Sequence, residues 1–207
     1  MAGGGAGEGD RPVSVRPLPA AGRVAVPWKN GGGVTREIAV WPEGGDMGDF
    51  EWRVSLADVV ADGPFSGFPE VDRILTMVEG EGMDLTVGGV SRRVDTRFVP
   101  QCFPGDLPTD CRLLGGPVVN LNVMWRRGGE TAPTVTVAQS RRPIAVPAGP
   151  VVLVVALDGS AEVAGVHLGQ YDAALLTGED AVLHATGRTA VIALTPRDRA
   201  LGPPPRA

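Results

Sequence analysis

Residues 26–41 read Val-Pro-Trp-Lys-Asn-Gly-Gly-Gly-Val-Thr-Arg-Glu-Ile-Ala-Val-Trp. A turn-forming run, Asn30 followed by three glycines, gives way to eight residues rich in β-branched side chains, which predicts a turn feeding a strand over 34–41. The same grammar recurs along the chain. Short segments rich in Val, Leu, Ile and Thr, each bounded by Gly, Pro or Asp, predict further strands at 51–57, 73–78, 83–87, 118–125, 134–137, 151–157, 161–166, 173–176 and 189–195. No stretch holds a helical period over three turns. The chain has 30 glycines and 19 prolines, nearly a quarter of its 207 residues. In a helix interior these residues cost about 1 and about 3 kcal/mol relative to alanine. With 43% hydrophobic and 21% charged residues there is still enough apolar surface for a core. The fold class is therefore all-β, with few or no long helices.

Charge excludes several functions. A formal net charge of −5 and a pI near 5.1 give no bulk attraction for nucleic acid. The longest purely apolar run, 151–157, is far shorter than the roughly 20 residues a membrane helix needs. Residues 1–10 are glycine-rich and acidic where a signal peptide would be basic and then apolar, so a cytoplasmic location is expected. There the two cysteines, Cys102 and Cys111, stay reduced and read as small core residues. His167 and His184 belong to no metal-ligand motif and read as surface or turn histidines, so no metal and no cofactor is expected. The glycine run lacks the Gly-Lys-Ser/Thr ending of a phosphate loop, and no G-x-S-x-G elbow is present.

Residues 1–12 and 198–207 read as disordered tails, the latter carrying three consecutive prolines. A faint repeat links Val78-Glu79-Gly80, Asp84-Leu85-Thr86 and Gly89-Val90 with Leu157-Asp158-Gly159, Glu162-Val163-Ala164 and Gly165-Val166. Two related barrels in tandem produce such a repeat, and so does chance matching among hairpins.

Alternation along the strands points to a polar interior. Side chains alternate across a strand, so Val34, Arg36, Ile38 and Val40 are predicted to share one face. Arg53 with Ser55 opposes Trp52, Val54 and Leu56. Arg73 lies with Leu75 and Met77, and Asn120 lies with Asn122 and Met124. If these faces converge, up to three guanidinium groups line one cavity, a cluster stable only with acidic partners or a bound anion. The planar fork of arginine suits a small carboxylate, with Asn and Ser fixing its orientation. In the other reading each arginine faces solvent or pairs with Glu37, Asp58, Glu70 or Asp72. Glu37 and Asp106 are candidate acid–base groups, Glu37 being an arginine partner first.

The blocks Val26-Pro27-Trp28-Lys29-Asn30-Gly31-Gly32-Gly33-Val34-Thr35-Arg36-Glu37-Ile38, Trp52-Arg53-Val54-Ser55, Asp62-Gly63-Pro64-Phe65-Ser66, Phe68-Pro69, Val71-Asp72-Arg73 and Asn120-Leu121-Asn122-Val123-Met124 closely resemble the HutD/Ves family. The match is specific up to about Arg127 and diffuse beyond it. The resemblance implies two cupin-like β-barrels in tandem (a bicupin of double-stranded β-helices), residues 13–132 forming the first and 133–197 a degenerate second. It also implies an accessory or regulatory protein of histidine utilisation that binds a small carboxylate such as formate, formylglutamate or urocanate, without metal and as a possible homodimer. Carried over by position, Lys29, Asn30, Thr35, Arg36, Arg53, Ser55, Phe65, Ser66, Arg73 and Asn122 become ligand-binding candidates. The alternative is a metal-independent enzyme on a carboxylated metabolite, with Glu37 or Lys29 carrying a proton. The sequence departs from the family's pattern at Glu70, where glycine is usual, and at Asn120, where aspartate is frequent.

Overall fold

The computed structural model describes residues 13–139, 143–147 and 149–197, so both predicted tails, 1–12 and 198–207, lie outside the described residues. Among the described residues the chain forms nineteen strands and no helix. In the first two thirds of the chain these are β1 (Ser14–Leu18), β2 (Ala25–Pro27), β3 (Gly33–Trp41), β4 (Trp52–Val59), β5 (Gly63–Phe65), β6 (Val71–Glu79), β7 (Met83–Val87), β8 (Val90–Val94), β9 (Gln101–Pro104), β10 (Thr109–Leu113) and β11 (Val118–Arg126). There follow β12 (Thr131–Gln139), β13 (Ile144–Val146), β14 (Gly149–Ala156), β15 (Ala161–Val163), β16 (Val166–Leu168), β17 (Ala173–Gly178), β18 (Ala181–Ala185) and β19 (Arg188–Pro196).

The strands form four antiparallel sheets. A six-stranded sheet of order β2-β3-β4-β11-β6-β9 faces a small sheet of order β5-β10-β7-β8, and between them lie Leu75, Met77, Met83, Leu85, Val87, Phe103 and Val118. A five-stranded sheet of order β1-β17-β14-β19-β12 faces a small sheet of order β13-β18-β15-β16 around Val152, Val154, Leu168, Leu176 and Leu183. The backs of the two large sheets pack together: Trp52, Val54, Leu121, Val123 and Trp125 meet Leu153, Val155, Ile192 and Leu194. Central strands are thus covered on both faces, which accounts for the unbroken apolar run in β14, since a strand buried on both sides has no polar alternation to show.

The two small sheets share one hydrogen-bonding order, and the faint repeat falls on equivalent elements, β6-β7-β8 and β14-β15-β16. Gly80, Gly89, Gly159 and Gly165, at its turns, all have positive φ, the conformation that favours glycine there.

Several expectations are corrected. The predicted strand 161–166 is broken by a turn at Ala164 and Gly165, both at positive φ, into β15 and β16. In β3 the register against β4 shifts between Glu37 and Ala39, so Ile38 packs between the large sheets while Val40 turns to the other face beside Met124. Val34, Arg36, Ile38 and Val40 therefore do not share one face. Cys111 is buried beside Met83, but Cys102 is exposed, because it sits on the edge strand β9. Finally, β1 pairs with β17, and Val13 and Val15 pack on the core of the C-terminal sheets. A division of the chain at 132/133 leaves this strand on the wrong side, since its apolar side chains find their cover in the C-terminal half.

Candidate functional site

Register in the six-stranded sheet assembles the polar residues in rungs. On the face toward the small sheet, Arg53 and Arg73 lie opposite Met124 from either side, with Phe103 beyond Arg73 and Val40 beyond Arg53. One rung along, Glu37, Ser55, Asn122 and Leu75 line up across four strands. The next holds Thr35, Ala57, Asn120 and Met77. The sequence folds this way because β4, β6 and β11 give their other face, Trp52, Val54, Ile74, Leu121 and Val123, to the contact between large sheets.

Arg73 is the centre of this arrangement. Its side chain is buried, Nη2 donates to Asn122 Oδ1 at 3.2 Å, and Nε has no partner. The guanidinium carbon lies 5.3 to 5.7 Å from the ring centres of Phe65, Phe68 and Phe103, within the range of cation–π attraction. Burial, and secondarily the charge of Arg53, pushes its pKa down to about 10. Among the described residues no carboxylate pairs with it. Arg53 is nearer the rim, where its Nε donates to Glu37 Oε2 at 2.8 Å and Glu37 is 43% exposed. Ser55, Asn120 and Asn122 are buried, and both amide atoms of Asn120 lack a partner.

The sequence-derived candidates divide into two groups. Arg53, Ser55, Arg73 and Asn122 come together, Phe65 stacks on Arg73, and Thr35 shares the inner face, where its Oγ1 accepts from Trp28 Nε1 at 2.8 Å. Arg36 lies on the opposite face, ion-paired with Asp58 at 2.5 Å, so two guanidinium groups converge here rather than three. Lys29 and Ser66 are exposed. Asn30 shapes the turn: its Oδ1 accepts from Gly32 N at 3.0 Å and its Nδ2 donates to Pro64 O at 3.2 Å, tying the glycine loop to the segment that carries Phe65. The candidate acid–base group Asp106 is exposed, and two hydrogen bonds from Arg127 hold it below the usual carboxylate range. Glu70, at the departure from the family's pattern, adopts φ 58, a left-handed conformation that suits the glycine usual there. Asn120, Phe68 and Phe103 belong to the cluster although they were not among the ligand-binding candidates; strand alternation already placed Asn120 on this face.

His167 and His184 are exposed on the outer face of a small sheet, flanking Glu162 in register and lining a depression of about 230 Å³. Among the described residues no three His, Cys, Asp or Glu side chains are grouped to hold a metal ion, and no helix is long and apolar enough to cross a membrane.

Paired sheets of this order, with a polar cluster between the faces of the N-terminal pair, define an all-β protein of cupin-like fold. At the level of fold alone the chain is similar to a cupin 2 conserved barrel domain protein from Leptotrichia buccalis, with TM-score 0.54 at 11% identity over 79% of this chain and 89% of that one. The HutD family model matches residues 20–194, and the chain belongs to the HutD family. It is similar to HutD from Pseudomonas fluorescens SBW25, solved in a formate condition, with TM-score 0.79 and 31% identity over 89% of this chain and 100% of that one. It is 40% identical over 100 residues to an uncharacterized 21.2 kDa protein in the hutC 3′ region of Pseudomonas putida, covering 48% of this chain and 52% of that one. It is also 38% identical over 101 residues to protein Ves of Cronobacter sakazakii, covering 48% and 54%. The chain spans about half the length of these curated relatives.

Proposed function

We propose that this chain is a tandem pair of cupin-like barrels whose N-terminal barrel binds a small carboxylate without metal, in an accessory or regulatory role in histidine utilisation. The observation that carries the reading is Arg73: a buried cation, stacked among three phenyl rings, with one nitrogen unpartnered and no carboxylate to neutralise it among the described residues. A buried uncompensated charge is costly. A carboxylate accepting from Arg73 supplies the missing anion bidentately, while Asn122 and Ser55 offer neutral hydrogen bonds beside it. Arg53, ion-paired with Glu37, flanks Arg73 across Met124. The link to histidine utilisation is supported by the chain's family and by the location of its Pseudomonas putida relative. Formate, formylglutamate and urocanate are the ligands to try first, with the protein acting in the cytoplasm.

The test is a thermal-shift titration with these carboxylates. A ligand at 100 times its Kd adds about 2.7 kcal/mol of stability, which for a chain of this size raises Tm by roughly 5–10 °C. Loss of that shift in Arg73→Met supports the reading. Absence of any shift in the folded protein, or a shift that survives Arg73→Met, overturns it.

A further inference from the structure

We propose that the outer face of the C-terminal small sheet binds one divalent transition-metal ion of the zinc class, held by His167, Glu162 and His184. The inference is independent of the carboxylate-binding reading of Arg73.

Register brings together three residues that come from three different strands. Glu162 on β15 lies opposite His167 on β16 and opposite His184 on β18, so one rung reads imidazole, carboxylate, imidazole. All three are exposed, and together with Ser160 and Thr186 they line a depression of about 230 Å³.

The N-terminal small sheet shows the equivalent rung closed on itself. There Asp84 lies opposite Arg93 on β8 and Arg112 on β10, and it is ion-paired with both, at 3.1 and 2.5 Å. Asp84 and Glu162 hold matching places in the repeat, in sheets of the same strand order. In the C-terminal copy histidines stand where the N-terminal copy has arginines. Among the described residues none of His167, Glu162 and His184 has an ion-pair or hydrogen-bond partner through its side chain. The carboxylate therefore lacks the flanking cations that its counterpart has, and a neutral imidazole on either side has a lone pair to give. A divalent ion supplies the missing positive charge. Two imidazoles and one carboxylate suit zinc, nickel or copper rather than magnesium or calcium.

Strand geometry lets the three converge. Cβ atoms opposite one another across antiparallel strands are about 5 Å apart, so an ion above Glu162 lies about 5 Å to the side of each histidine's strand. A histidine side chain extended by a Zn–N bond of about 2 Å covers that step. As placed, the three side chains line the depression without meeting at one point; binding turns them inward, and no hydrogen bond or ion pair among the described residues opposes that turn. Three protein ligands leave the fourth tetrahedral position to water or an exogenous donor.

The experiment titrates zinc chloride into the untagged, chelator-treated full chain against a chromophoric zinc indicator. The wild type is expected to bind one zinc ion per chain, with a rise in Tm. His167→Gln and His184→Gln should each weaken binding at least tenfold and Glu162→Gln several-fold, whereas Cys102→Ser, which removes the exposed thiol, should leave it unchanged. All four positions are exposed, and Tm without zinc verifies that each variant folds. X-ray absorption of the zinc complex should show imidazole ligands and no sulfur, a result that needs no variant. Absence of stoichiometric zinc binding overturns the inference. So does binding that persists in the double variant His167→Gln/His184→Gln, binding unmoved by Glu162→Gln, or a sulfur ligand on the metal. Each of these results leaves the Arg73 site standing, since none of the three residues belongs to it.

Discussion

Replacing Arg73 with methionine should remove ligand binding without destabilising the ligand-free protein. Burial, and secondarily the neighbouring Arg53, pushes the pKa of Arg73 down to about 10. At 1.36 kcal/mol per unit this corresponds to a penalty of about 3 kcal/mol on the charged form in the fold. Against it stand the hydrogen bond to Asn122 and the three phenyl contacts. A hydrogen bond to a charged group contributes roughly 1.5–3 kcal/mol, and methionine recovers part of the aromatic contact through its sulfur. The balance places Arg73→Met between neutral and about 2 kcal/mol more stable, in line with hydrophobic replacement of buried charges elsewhere. The pH dependence gives a second check. From about pH 10 upward the unfolded chain holds a proton on this arginine that the folded chain releases, so the wild type gains stability relative to the variant as pH rises past that point. Urea unfolding of both proteins from pH 7 to 11 measures the difference, and it should be constant up to about pH 9 and begin to move in favour of the wild type near pH 10. A folded Arg73→Met destabilised by more than about 2 kcal/mol at pH 7, or a difference that drifts the other way above pH 10, would refute the reasoning.

Other perturbations follow from the same geometry. Glu70→Gly should raise Tm by a few degrees, because a non-glycine residue in the left-handed region costs roughly 1–2 kcal/mol and φ at Glu70 is 58; an unchanged or lower Tm counts against strain at that turn. Gly33→Ala should destabilise by about 1–3 kcal/mol in urea titration, since a Cβ there would stand well inside van der Waals contact with the carbonyl oxygen of Asp58. In thiol titration at pH 8, Cys102 should react in the native protein and Cys111 only on unfolding, because burial raises the Cys111 pKa to about 11 and the side chain is enclosed. That raised pKa also means Cys111 stabilises the fold below pH 9, a contribution lost as pH rises from 9 to about 11, so Cys111→Ser should flatten the stability curve there.

The strands legible in the sequence are those with a face in one of the buried layers. The segments 83–87 and 118–125 coincide almost residue for residue with β7 and β11, whose burial alternates or is continuous. The strands the composition does not mark are short and carry proline or charge: Ser-Val-Arg-Pro-Leu in β1 and Gly-Pro-Phe in β5 are half-buried or exposed, and Thr-Asp-Cys-Arg-Leu in β10 alternates but buries a threonine and a cysteine rather than aliphatic side chains. Their hydrogen bonds come from neighbours remote in sequence, which local composition does not encode. Alternation located Arg53, Ser55, Arg73 and Asn122 correctly relative to one another because β4, β6 and β11 keep register through that region. It misplaced Val40 because the register shift after Glu37 swaps the faces beyond it. The outer face of β3 carries Ile38 between the large sheets and the Arg36–Asp58 ion pair, while on the inner face Thr35 accepts from Trp28, and none of these partners is visible without the neighbouring strands.

The pairing of β1 with β17 also bears on synthesis. The partners of Ser14–Leu18 leave the ribosome about 160 residues later, a delay of roughly 10–30 s at ordinary translation rates. Until then Val15 has no permanent cover, and the broad apolar back of the first large sheet waits for Leu153, Val155 and Ile192. A nascent chain in that interval presents tryptophan-rich β-surface to solvent, so the C-terminal half, which carries none of the proposed carboxylate site, serves as the cover whose arrival ends the chain's exposure to aggregation.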